Sequence, residues 1–353
     1  MELNKRILAF VRLKNFFDNF LNNNFRKSDL LFQQYETFAE IVKTEYLHNG
    51  WFTEENIKYS IGAISDSLSE QKIEIWLSKY NIVNVNKKLN RVGVILAGNL
   101  PLVGFHDFLC VLITGNIFVG KMSSKDNRLL KTVSQILVTI EPEFANYILY
   151  EENQLKNIDA VIATGSNNSA RYFEYYFGKY PNIIRKNRNS IAIFEGNETQ
   201  QQVEKLADDI FTYFGLGCRN VSKIYIPDNF DIKRFFEGVF KYSEIINHNK
   251  YANNYAYNRT IYLMNSVKFY DNNFVMLKED TNLSSPVSVV FFEYYSDIKD
   301  VIGFIKNNSD KLQCVSTDID ITEIETIKLG NTQKPELWDY ADNIDTIEFL
   351  LNL

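Results

Sequence analysis

Cysteine, histidine and proline are scarce in this 353-residue chain, at three, three and six copies. Cys110, Cys218 and Cys314 are odd in number and far apart, so neither a disulfide framework nor a CxxC metal site is expected. A reducing, cytoplasmic setting fits such usage. His48, His106 and His248 form no HxxxH pair, and a catalytic metal is not expected. A basic excess is also missing: 38 Lys and Arg stand against 44 Asp and Glu, a formal charge of −6. That balance argues against a dedicated nucleic-acid binder. The most apolar stretch, 92–120, is interrupted by Gly98, Pro101, Gly104, His106, Asp107 and Gly115, which excludes one uninterrupted bilayer-spanning helix. The first 21 residues carry Glu2, Lys5, Arg6, Arg12 and Lys14 and do not read as a signal peptide.

What is present describes an ordinary folded chain, with 45% hydrophobic and 23% charged residues. Its length exceeds what one core usually serves, so two domains sharing a cleft are expected. Residues 1 to about 85 read as helical, with apolar positions recurring through Ile7, Phe10, Val11, Phe16, Phe17 and Phe20. Further helices are expected from Ser28–Asp29 and over 66–80. From 91 the texture changes. Short apolar runs at 91–97, 117–121 and 159–164 suit strands buried on both faces, and the segments between them, including 125–140, suit helices. This is a doubly wound α/β pattern, whose ligands sit beyond the carboxyl ends of the strands. A second α/β unit is expected from a helix over 199–213, strands at 221–226, 260–264 and 287–292, and helices at 232–239 and 298–307. The apolar end, Ile347-Glu-Phe-Leu-Leu-Asn-Leu353, should be docked in its own domain or against another subunit.

Four stations could carry chemistry. Cys218 lies in Gly215-Leu-Gly-Cys-Arg-Asn220 between a helix and a strand, where glycines allow a tight turn and Arg219 would favour the nucleophilic thiolate. A small buried residue is the plain alternative, and it is the reading kept for Cys110 and Cys314. Asn99 follows a buried strand and could donate to an oxyanion, or simply satisfy loop backbone. Lys121, Ser123 and Ser124 at the next strand end suit ribose and phosphate oxygens, although Ser124 could equally cap a helix. Thr164, Gly165 and Ser166 open a helix whose N-terminus suits a pyrophosphate, as any capped N-terminus would.

The order of these stations resembles the aldehyde dehydrogenase superfamily, and within it the long-chain fatty acyl-CoA reductases related to LuxC. The closer resemblance rests on Gly98-Asn-Leu-Pro-Leu-Val-Gly-Phe-His-Asp107, Lys121-Met-Ser-Ser-Lys-Asp126, Ala163-Thr-Gly-Ser-Asn-Asn-Ser-Ala-Arg-Tyr-Phe173, Gly215-Leu-Gly-Cys-Arg-Asn-Val-Ser222 and Pro335-Glu-Leu-Trp-Asp-Tyr340. It covers roughly 85–353, and the first 85 residues match loosely. The resemblance implies an aldehyde dehydrogenase-like α/β fold in three parts. Residues 1–198 would hold the N-terminal helices and nucleotide-binding domain, 199–325 the catalytic domain, and 326–353 a tail and oligomerisation arm. It further implies that Cys218 is acylated and that Asn99 shares the oxyanion hole with the Cys218 N–H. Lys121 and Ser124 would face the adenosine ribose, Gly165 and Ser166 the pyrophosphate, and Thr164 the nicotinamide side. The substrate implied is an acyl-CoA or carrier thioester, with an acyl-activating ligase as partner and a homo-oligomeric assembly.

Departures from the superfamily pattern sharpen the reading. Acid-forming members carry a Glu that activates water for deacylation, but the matching stretch here, Ile184-Arg-Lys-Asn-Arg188, has no carboxylate. A thioester reductase is therefore favoured over an acid-forming dehydrogenase. Where the superfamily has Lys-Pro-Ser-Glu, this chain has Lys-Met-Ser-Ser, followed by Lys125. Losing that carboxylate favours NADPH, with NADH as the alternative. Asn282-Leu-Ser-Ser-Pro-Val287 leaves the nicotinamide-ribose contact unassigned. Phe105, Phe108, Phe211, Tyr213 and Phe214 could line an acyl tunnel or form core, and His248 and Tyr251 could touch substrate. The competing readings are an acid-forming aldehyde dehydrogenase, an acyl-phosphate reductase and a non-catalytic acyl-carrying subunit.

Overall fold

The computed structural model describes residues 1–82 and 89–353. The end of the expected helical N-terminus and the start of the resembling region at 85 lie outside the described residues. The chain divides into two compact units, Met1–Lys186 with Pro335–Leu353, and Asn187–Lys334.

The first unit begins with α1 (Leu3–Leu21), α2 (Phe32–Thr44), α3 (Glu54–Ser67) and α4 (Glu70–Leu77). Thr53 and Ser69 cap α3 and α4 through their hydroxyls, so the helix expected over 66–80 is broken at 68–69. Nor does Ser28–Asp29 open a helix, since α2 starts at Phe32. There follow β1 (Arg91–Ile95), α5 (Phe105–Ile113), β2 (Ile117–Lys121), α6 (Leu129–Ile140), β3 (Ile148–Tyr150), β4 (Ala160–Thr164), α7 (Asn167–Phe177) and β5 (Asn182–Arg185). The five strands pair in parallel in the order β3-β2-β1-β4-β5. Alternation along each strand serves two cores. Val92, Val94, Phe118 and Ile162 face the helices α1 to α6, while Val119, Val161 and Ala163 face Phe173 and Phe177 of α7. This is the doubly wound sheet expected from the sequence. Its order reverses between β1 and β4, which places a ligand crevice at their carboxyl ends.

The second unit contains β6 (Asn189–Ile193), α8 (Gln200–Phe211), β7 (Val221–Pro227), α9 (Ile232–Val239), α10 (Asn249–Met264), β8 (Tyr270–Asp271), β9 (Met276–Glu279), β10 (Val289–Tyr295), α11 (Ile298–Asn307) and β11 (Leu312–Ser316). Its six strands run in the order β11-β6-β7-β10-β9-β8, with only β8 antiparallel to its neighbour. The strand expected at 260–264 is instead the last turn of α10. Tyr251 and Asn258 are buried, Tyr255 and Tyr262 pack against Met276, Val289 and Phe291, and Asn258 donates to the Val287 carbonyl at 2.9 Å. That burial follows a helical period, and tertiary packing overrides the β preference of Thr260-Ile-Tyr.

The units meet in sequence at 186/187 rather than 198, because β6 pairs with β7 and β11 of the second sheet. After Lys334 the chain returns to the first unit and ends in α12 (Thr346–Leu351). Ile347 and Leu350 are buried in the first unit's core, and Phe349, Leu351 and Leu353 lie against it, so the tail docks in its own unit. Arg185 ties this end to the sheet. It pairs with buried Asp107 at 2.6 Å and donates to Thr346 Oγ1 at 3.0 Å.

Candidate active site

In the first unit, Asn99, Lys121, Ser123, Ser124, Thr164, Gly165 and Ser166 all fall at or just beyond the carboxyl ends of β1, β2 and β4. Asn99, Ser124, Lys125 and Ser166 are exposed. Ser166 caps α7, its hydroxyl accepting from the Ser169 N–H at 3.2 Å. Gly165 is required at this turn, since a Cβ there would stand 2.9 Å from both Phe173 and Ser169. Gly98 is held against Ser123, whose Oγ would lie 2.5 Å from an added Cβ. The Lys121 ammonium donates to the Asn153 carbonyl, and Ser123 Oγ accepts from the Lys125 N–H at 3.2 Å. These two side chains shape the loops, and Ser124, Lys125 and Asn127 are the exposed polar groups that follow the strand. Ser124 does not cap α6, which begins five residues later at Leu129.

Residues outside the expected set hold this edge. Asn49, 6% exposed, donates to the carbonyls of Gly98 at 3.5 Å and Lys125 at 3.2 Å. Ser60 donates to the Pro101 carbonyl at 2.9 Å, and Asp126 accepts from the Leu102 N–H at 3.3 Å. Asn49 and Ser60 come from the N-terminal segment, whose role the sequence does not disclose. Asp126 closes the Lys121–Asp126 motif.

Burial pushes the Asp126 carboxyl from 3.8 to about 7, with nearby Glu45 adding to the rise while the Leu102 and Leu129 N–H groups oppose it. Glu45, itself raised chiefly by burial, lies 3.3 Å from Arg128. A carboxyl raised by folding contributes stability that is full below its unfolded value and lost as pH rises through its folded one. Wild-type stability should therefore fall between about pH 4 and 7 through this group. Asp126→Asn keeps an acceptor for Leu102 and should flatten that part of the profile, read as the difference in denaturation midpoint between pH 5 and pH 8. An unchanged slope would refute the assignment.

In the second unit, α8 starts with a capping box between Thr199 and Gln202 and ends at Phe211. Tyr213, Phe214 and Gly215 then take left-handed conformations, with φ of 56°, 59° and 74°. Two non-glycine residues in this region cost about 1–2 kcal/mol each. The chain next forms a turn closed by the Asn220 N–H donating to the Gly217 carbonyl at 3.1 Å, with Cys218 and Arg219 at its corner. Cys218 is exposed, whereas Cys110 and Cys314 are buried. Ser190 Oγ donates to the Cys218 carbonyl at 2.9 Å, and Arg219 Nε donates to the Thr332 carbonyl at 2.6 Å.

The Phe214 ring lies on His248, centroids 4.2 Å apart, and His248 caps α10 by accepting from the Tyr251 N–H. Phe211, Phe214, Tyr251, Val275, Val287 and Ser288 are among the residues lining an open cleft beside this loop. Of the aromatics considered for an acyl tunnel, Phe211 and Phe214 therefore face a cleft. Phe105 and Phe108 belong to the core of the first unit. Cys110 sits 3.7 Å from His106 Nδ1, but burial, with Asp107 adding, holds its thiol well above the ordinary value. It is a packing residue. The stretch 184–188 supplies no carboxylate, and its Arg185 is committed to Asp107. Among the described residues, no group of three or more His, Cys, Asp or Glu could hold a metal ion, and no helix is long and apolar enough to cross a membrane.

Among solved structures, the fold is similar to aldehyde dehydrogenase 21 from Physcomitrella patens, with a TM-score of 0.69 and 14% identity over 100% of this chain and 84% of that one. It is also similar to the P. syringae indole-3-acetaldehyde dehydrogenase (TM-score 0.62, 12% identity, 92% of this chain and 73% of that one). A Corynebacterium glutamicum benzaldehyde dehydrogenase gives a TM-score of 0.62 at 12% identity over 90% of this chain and 76% of that one. No curated protein matches the sequence. The family model described as acyl-CoA reductase (LuxC) matches residues 13–328. It takes in the end of α1 and all of α2 to α4, where the sequence motifs match only loosely, and it stops short of the motif at 335–340. With an aldehyde dehydrogenase fold and this match over most of its length, the chain belongs to the LuxC acyl-CoA reductase family, oxidoreductases acting on an acyl or aldehyde group.

Proposed function

We propose that the protein reduces a fatty acyl-CoA, or a related carrier thioester, to the aldehyde through an acyl-enzyme on Cys218, with NADPH as reductant. The observation that carries this reading is the position of Cys218, the one exposed cysteine of three, at the corner of a braced turn. Its thiolate attacks the thioester carbonyl, and the bond to the carrier sulfur breaks, releasing the thiol. The Cys218 N–H would donate to the oxyanion, and the family resemblance implies the Asn99 amide as the second donor. When bound, a reduced nicotinamide supplies the hydride. The Cys218 thiohemiacetal then loses its hydroxyl proton, the carbon–sulfur bond breaks, and the aldehyde leaves with the thiolate restored. One acyl thioester, one NADPH and one proton give one aldehyde, one thiol and one NADP⁺.

The residues fit a dinucleotide. The parallel sheet has its switch point between β1 and β4, and Ser166, Asn167 and Asn168 are exposed at the start of α7. Ser124 and Lys125 would face the adenosine ribose, with Ser124 standing where a Glu would repel a 2′-phosphate and the neighbouring Asp126 buried and accepting from the Leu102 N–H. Lack of a carboxylate over 184–188 supports transfer to a reductant over hydrolysis. An acyl-activating ligase supplying the substrate and a cytoplasmic homo-oligomer belong to the same reading.

The test offers acyl-CoAs of increasing length with NADPH or NADH and measures cofactor oxidation together with trapped aldehyde. Aldehyde formed in step with NADPH loss is expected, and no aldehyde at any chain length would overturn the proposal. Ser124→Glu should lower kcat/KM for NADPH by about tenfold while sparing NADH, by like-charge repulsion at the 2′-phosphate. Equal effects on both cofactors would place this strand end away from the ribose.

A further inference from the structure

Asn220 is 3% exposed, and its carboxamide is saturated in a specific way. Its Nδ2 donates to the carbonyls of Thr212 at 2.9 Å, Asp209 at 3.0 Å and Ile210 at 3.3 Å, while Oδ1 accepts from the Gly217 N–H at 2.8 Å. The three carbonyls belong to the end of α8, where a helix leaves acceptors without intrahelical partners. Gly217 immediately precedes Cys218. One side chain thus grips both ends of the left-handed run at Tyr213, Phe214 and Gly215. A run of that kind persists only where its surroundings over-determine it. Without the clamp it would relax, and the turn bearing Cys218 would move with it.

We propose that Asn220 is a positioning residue for the nucleophile, fixing the Cys218 turn against the end of α8 so that the sulfur meets the acyl carbonyl in a reactive geometry. This rests on the reading of Cys218 as the acylated group. Asn220 does not touch substrate. It acts through the backbone at 212 and 217, and Ser190 Oγ gives the turn a second, weaker tether at the Cys218 carbonyl. Asn220→Asp keeps the acceptor for Gly217 and replaces three donated bonds by a carboxylate facing three carbonyls. Asn220→Ala removes all four bonds.

The experiment measures the burst of CoA released from acyl-CoA without NADPH, the KM for acyl-CoA, and the pH profile of Cys218 alkylation by iodoacetamide. Each is read on folded protein for wild type and both variants. Asn220→Asp is expected to slow the burst by about 100-fold, the scale of a reacting group displaced by an ångström. KM should stay within about threefold, and the alkylation profile should shift. A folded variant with wild-type burst and wild-type profile would overturn the proposal. Should neither variant fold, Ser190→Ala decides the matter: a slower burst at unchanged KM sustains the clamp, and a wild-type burst refutes it. If wild type itself releases no burst, the acyl-enzyme reading fails. The alkylation profile still tests the clamp, which is wrong if Asn220→Asp leaves that profile unchanged.

Discussion

Replacing Cys218 by alanine should abolish acyl-CoA-dependent NADPH oxidation, lowering kcat by on the order of 10⁴-fold or more, as loss of a covalent nucleophile does elsewhere. The size of the effect follows from the chemistry. Without the sulfur no acyl-enzyme forms, and binding residues alone cannot split the reduction into two easier steps. The variant should fold normally, because an exposed side chain at a turn corner leaves no cavity when truncated. Cys110 and Cys314 are buried and cannot substitute. Steady-state kinetics beside a melting curve check both halves: residual activity within tenfold of wild type, with the fold intact, would move the nucleophile elsewhere.

A comparably large effect on stability is expected at Asp209. This fully buried carboxylate accepts from Ser316 Oγ at 2.8 Å, the Gly330 N–H at 2.8 Å, the Thr332 N–H at 3.0 Å and Thr332 Oγ1 at 2.8 Å. Burial raises its pKa and these four donors oppose the rise. Asp209→Ala would leave the donors unsatisfied in the interior of the second unit, at about 1–3 kcal/mol apiece. A total loss of at least about 4 kcal/mol is expected, comparable to the whole stability of many domains. The damage should reach the site as well, because the Thr332 carbonyl receives Arg219 and the Asp209 carbonyl receives Asn220. Denaturant unfolding of the variant should show the second unit melting early, and a midpoint shift equivalent to under about 1 kcal/mol would contradict the accounting.

The parts of this structure legible in the sequence are those set by local pattern. Arg91–Ile95, Ile117–Lys121 and Ala160–Thr164 are short apolar runs ended by polar turns, which marks them as buried strands without further information. Asn182–Arg185 and Leu312–Ser316 escape notice because each alternates too briefly to stand out, and their pairing comes from distant partners. The misread helix end at 260–264 shows the reverse failure, a β-like composition recruited into a helix by the face it buries. Cys218 is marked as a candidate by its flanking glycines. Asn220 lies two residues away in the same motif, yet its role depends on three carbonyls that only the folded chain assembles. Asn49 carries no local signal, since its partners at Gly98 and Lys125 are supplied by tertiary structure alone.

Peptide mass spectrometry of the protein after exposure to an acyl-CoA, with no reductant added, tests the thioester most directly. The segment containing position 218 should gain the mass of the acyl group and lose it, as aldehyde, once NADPH is supplied. Acyl mass on any other segment, or turnover with position 218 never modified, would contradict the account.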